Sequence, residues 1–150
     1  TASLRQCFDS KGVQVRMREQ RIANPMEPNG WGAVSSYTPM SGPLVTFHNM
    51  QDFDAEVIEF AWDHECAHHS LVHAREVYDF FARGGYGIPA EAHDYEFASD
   101  CRAVEVMSAE GRLDEAKLRR IMAVFPENKH SPTHPSTSDR LAHALTCFML

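Results

Sequence analysis

No stretch of this 150-residue chain stays apolar for the ~20 residues that a membrane-crossing helix needs, so none is expected. Clustered basic residues are missing too. Fourteen Lys and Arg stand against 21 Asp and Glu, a net charge of −7, and nucleic acid is not an expected partner, because phosphate binding needs concentrated positive charge. Internal repeats and low-complexity tracts are absent. What remains is an ordinary globular composition, 43% hydrophobic and 10% aromatic, long enough for one core and too short for a second independent one. The expectation is a single domain over residues 1–150.

Cysteine is sparse, at four residues: Cys7, Cys66, Cys101 and Cys147. An even number permits disulfides in any of three pairings and favours an exported, extracytoplasmic protein over a cytoplasmic one. Cys7 and Cys147 lie near the two ends and could staple them. Cys66 falls inside a helical segment and is expected as a buried thiol. The first residue is Thr rather than Met, as in a processed or trimmed chain, and no signal peptide is left to read.

The first fifty residues read as β structure. Val13 to Arg18 alternates apolar and polar, Ala33 to Tyr37 suggests a second strand, and Leu44 to His48 a third, after the turn Ser41-Gly42-Pro43. Asn24 to Gly30 is expected as a loop. A long helix follows over Asp54 to Ala74, with Asp52 or Asp54 as its cap and Val57, Ile58, Ala61, Trp62, Leu71 and Val72 as its apolar stripe. An aromatic helical segment from Val77 to Phe81 runs into the flexible Gly84 to Pro89. Helices are then expected from about Ala92 to Ala109, Leu113 to Phe125 and Thr137 to Leu150, with a polar loop over Lys129 to Ser138. The fold class is α+β, a small N-terminal sheet followed by a mostly helical part.

The long helix carries His64-Glu65-Cys66-Ala67-His68, an HExxH motif. Histidines at i and i+4 stand only about 40° apart around a helix, so both imidazoles can converge on one zinc ion from consecutive turns. Glu65, about 100° further round, is placed to take a proton from a water on the metal rather than to bind it. Cys66 stands about 200° from His64 and points towards the core. A catalytic zinc usually has three protein ligands. A histidine six residues beyond the second, after a glycine, is not present: that position is Ala74, and His73 falls one short. The better third ligand is Glu96 on the next long helix. Asp100, one turn further on the same face, is expected to accept the ring N–H of a ligand histidine. His69, His73 and His93 are expected as surface or core histidines.

These residues resemble a family. His64 to His68, Glu96-Phe97-Ala98-Ser99-Asp100, and His134-Pro135 followed by Asp139-Arg140-Leu141 are similar, in that order, to the HExxH, ExxxD and His-Pro motifs of the HtpX-like and CAAX-prenyl-protease zinc peptidases, which are gluzincins. The likeness covers roughly residues 33 to 148. It implies a zincin-like metallopeptidase core in minimal soluble form, with one zinc held by His64, His68 and Glu96. Glu65 would be general base and later proton donor. His134 would stabilise the oxyanion, and Arg140 would hold the His134 loop by pairing with a carboxylate. Leu44, Val45, Thr46 and Phe47 would form the edge strand that an extended peptide substrate joins. The implied activity is that of a zinc metalloendopeptidase. Two other classes stay open: a non-catalytic zinc-binding interaction module, and a zinc hydrolase of non-peptide amides or esters.

Overall fold

The computed structural model describes residues 3–21, 30–125 and 133–149. Most of the Asn24–Gly30 loop and the start of the Lys129–Ser138 loop lie outside these residues. Among the described residues the fold is α+β: a three-stranded sheet and five helices, ending in a short 3₁₀ turn. It divides into two compact units, Thr1–Asp79 and Phe80–Leu150. No helix among the described residues is long and apolar enough to cross a membrane.

The first unit holds the sheet. Strands β1 (Arg16–Gln20), β2 (Gly32–Thr38) and β3 (Gly42–His48) lie in the order β1-β3-β2, with β1 parallel and β2 antiparallel to β3. Gly42, at φ 70°, makes the tight return between β2 and β3 that a side chain would resist, and the Ser41 N–H donates to Thr38 Oγ1 across it. Leu44, Val45, Thr46 and Phe47 lie on the central strand, not an edge, because the distant β1 pairs with β3 on the side away from β2. Alternation still sets the faces: Val45 and Phe47 enter the core with Val57, Ala61 and Trp62.

Helix α1 (Ala55–Ser70) packs on this sheet, with Asp54 at its N-cap. Its side chains are buried continuously from Phe60 to His69, not along one stripe. The N-terminal segment covers part of it. Trp62 Nε1 donates to the Arg5 carbonyl at 2.8 Å, Arg5 Nε donates to the buried Asp63 at 3.2 Å, and Cys7 is joined to Cys66. Cys66 therefore points into the core as its place on the helix required, but as half of a disulfide rather than a thiol. Cys7 does not reach Cys147, which pairs with Cys101 in the second unit. A hairpin explains the choice: Val15 N–H donates to the Cys7 carbonyl, and Phe8 bridges Gln14, so the strand approaching β1 lays Cys7 on the back of α1. Removing the Cys7–Cys66 bond by a double alanine substitution should lower stability by about 2–4 kcal/mol in urea titration, since it closes a long loop in the unfolded chain.

The long helix expected to reach Ala74 ends at Ser70. Leu71 and Val72 turn the chain, and α2 (His73–Ala82) begins immediately. Val72 lies at φ 72°, where a β-branched residue is costly by about 1–3 kcal/mol.

The second unit is helical: α3 (Ala92–Ala109), α4 (Glu115–Met122) and α5 (Thr137–Thr146), then the 3₁₀ turn Cys147–Met149. Asp114 caps α4 by accepting from the Lys117 N–H, and Ser136 caps α5 by accepting from the Asp139 N–H. Buried apolar side chains line α3 at Ala103, Val104 and Met107, and α4 at Leu118, Ile121 and Met122. On α5 the fully buried residue is Ala144, while Leu141 and Leu145 are only half-buried.

Candidate metal centre

Burying a run of helix that contains Asp, His, Glu and two further His is costly unless each polar group finds a partner. In the first unit they do, and from different directions. Asp63 takes Arg5 of the N-terminal segment. His69 Nε2–H donates to the Leu44 carbonyl of β3 at 3.0 Å. Burial pushes the His69 imidazole below its usual range against the opposing pull of that hydrogen bond, and neighbouring His68 adds to the lowering. His69 thus ties helix to sheet and lies outside the group of residues that could hold a metal.

The remaining three polar side chains of the motif converge. His64, Glu65 and His68 each present a ligand atom, and these atoms all lie within 4.8 Å of one another. The two imidazoles stand near-perpendicular, with ring centroids 4.9 Å apart. His64 Nε2 is 3.7 Å from Glu65 Oε2, beyond hydrogen-bond range. All three residues are buried, at 5%, 8% and 9% exposure. Two convergent imidazoles shielded from bulk water suit zinc, and the Glu65 carboxylate lies beside them.

Two further residues reach the centre: Ser35, which the sequence did not single out, and His73, expected as a surface or core histidine and buried here. Ser35, on β2, has its Oγ 2.9 Å from Glu65 Oε1 and 2.8 Å from the Glu65 carbonyl, and donates to them. It shares the α1-facing side of β2 with Ala33 and Tyr37, and only that alternation hinted at it. The contact anchors one carboxylate oxygen and leaves Oε2 as the one towards His64. The second is His73, whose Nδ1 lies 3.1 Å from His68 Nδ1. On one continuous helix His73 would stand about 140° round from His68, and nothing in the sequence marks the turn that brings it back.

In the second unit, the other expected site residues meet. Asp100, fully buried on α3, accepts a two-pronged pair from Arg140 of α5: Nε to Oδ2 and Nη2 to Oδ1, each 2.8 Å. Arg140 therefore holds a carboxylate, and it is that of Asp100. The Arg140 guanidinium also lies over the Phe125 ring, 5.6 Å from its centroid. His134 Nε2 is 3.6 Å from Glu96 Oε1, its Nδ1 is 2.9 Å from Thr133 Oγ1, and its side chain is half exposed.

The metal-competent group among the described residues consists of His64, Glu65 and His68. No family model, curated protein or solved structure matches the chain, so the likeness to the HtpX-like peptidases rests on its three motifs alone.

Proposed function

We propose that this chain is a zinc-dependent metalloendopeptidase that hydrolyses peptide bonds at His64, Glu65 and His68. The observation that carries the reading is the buried convergence of those three residues, with the Glu65 carboxylate anchored through one oxygen by Ser35. His64 and His68 are the histidine ligands of this reading, and Glu96 is the third ligand that the ExxxD pattern implies. Zinc bound there would supply Lewis acidity, polarising a peptide carbonyl and easing the deprotonation of water at neutral pH.

The protein's own residues carry the proton. Glu65 Oε2 takes it from the water that attacks the scissile carbonyl carbon. The same oxygen returns it to the amine nitrogen as the C–N bond breaks, so Glu65 ends the cycle ionised, as it began. Ser35 keeps Oε1 fixed, so the carboxylate cannot rotate away between the two transfers. Ser35→Ala should lower kcat by about ten- to a hundredfold with KM little changed, as a misplaced catalytic group does. An unchanged kcat in a folded Ser35→Ala protein would remove Ser35 from the mechanism.

An extended substrate would join β2. Among the described residues β2 pairs only with β3, its Ser35 touches the base, and Val34, Ser36 and Thr38 face outward. Main-chain hydrogen bonds to that edge would orient the peptide without reading its sequence. The two disulfides support an oxidising, extracytoplasmic setting. Cleavage of a peptide library, followed by mass spectrometry with zinc-loaded, metal-free and Glu65→Gln protein in parallel, tests the reading. Cleavage by the zinc-loaded wild type alone is expected. Zinc binding without cleavage of any peptide would leave an interaction module or a hydrolase of other amides.

A further inference from the structure

His73 is buried, belongs to neither the HExxH nor the ExxxD motif, and has no part in the proton transfers above. Its placement is costly. Val72 holds φ at 72° with no glycine beside it, the Val72 N–H donates to the His69 carbonyl, and the Val72 carbonyl accepts from the Glu76 N–H. α1 thus passes into α2 without a linker, and the first residue of α2 folds back onto α1. The His73 and His68 ring centroids are 5.3 Å apart and their Nδ1 atoms 3.1 Å apart. Strained backbone persists where surrounding structure over-determines it, and such places cluster at functional sites.

Two ring nitrogens at that distance need one proton between them, one N–H donating to the lone pair of the other. A histidine that gives its Nε2 lone pair to a metal keeps its proton on Nδ1. We infer that His73 is the positioning residue of His68: it accepts the His68 Nδ1–H, fixes that tautomer and aims Nε2 at the metal. This rests on the zinc reading above. It gives His73 the duty that the sequence led us to expect of Asp100, whose oxygens are forked by Arg140. The acceptor in this contact is a neutral imidazole rather than a carboxylate, so it orients the ligand without adding negative charge beside the metal.

The test compares the zinc affinity of wild type, His73→Asn and His73→Leu by competition with a chromophoric chelator. Asn and Leu are close in size, and Asn places an acceptor oxygen about where Nδ1 stood. His73→Leu should weaken zinc binding about 10–100-fold, the range for losing such a partner, while His73→Asn stays within about threefold of wild type. Equal affinities in the two variants would overturn the assignment, because a packing role treats them alike. A second measurement needs no variant. In zinc-loaded, ¹⁵N-labelled wild type, His68 should be protonated at Nδ1 and show scalar coupling to His73 Nδ1. A proton on His68 Nε2, or metal on its Nδ1, would overturn the assignment. Wild type that takes up no zinc would overturn the zinc reading together with this one, whereas zinc uptake with indistinguishable variants overturns only the role of His73.

Discussion

Glu65→Gln should take up zinc as wild type does and hydrolyse peptides about 10²–10⁴-fold more slowly, the share that a positioned base contributes. The substitution is nearly isosteric. Gln keeps an oxygen for the Ser35 hydroxyl, 2.9 Å from Oε1 in the wild type, so the side chain holds its place. It also removes a charge from a residue that is only 8% exposed, so no burial penalty is added. What it loses is the ability to accept a proton at Oε2. Zinc content and turnover measured on one preparation separate the two roles. Turnover retained by a zinc-loaded Glu65→Gln protein would exclude Glu65 as the base, and loss of zinc would make it a ligand instead.

Arg140→Met should destabilise the protein by about 3–5 kcal/mol, the largest stability effect anticipated for any single substitution. Asp100 is fully buried, and Arg140 neutralises it through two hydrogen bonds of 2.8 Å. The side chain of Arg140 is itself only 11% exposed, so this pair lacks the solvent screening that makes surface pairs weak. Met fills much of the aliphatic volume but leaves the carboxylate without its fork. Asp100→Leu combined with Arg140→Met should recover much of the loss, because an apolar pair of similar volume avoids the desolvation of both charges. Urea denaturation of the three proteins measures this. A single Arg140→Met variant within about 1 kcal/mol of wild type would show that the pair behaves as an exposed one.

The parts of the fold visible in the sequence are those fixed by local periodicity. Helix α3 occupies Ala92–Ala109 as expected, and the three strands fall close to their alternating segments. Sheet order was not visible. Alternation identifies a strand and its faces but not its neighbour, and β1 pairs with β3 across more than twenty intervening residues. The disulfides were hidden for the same reason: helical geometry turned Cys66 inward, yet its partner depends on a hairpin that lays Cys7 against α1. The α1–α2 break carries no glycine or proline, only a strained valine, so Leu71 and Val72 read as two more residues of an apolar stripe. In the candidate centre, His64, Glu65 and His68 were legible because their spacing on one helix dictates convergence. Ser35 and His73 were not, because each reaches the motif through tertiary structure.

Zinc held by His64 and His68 is the most direct test of the proposed chemistry. Equilibrium dialysis against zinc, followed by metal analysis, should give one zinc per chain for wild type and none for a folded His64→Ala/His68→Ala double variant. Wild type without zinc, or a double variant that keeps it, would contradict the account.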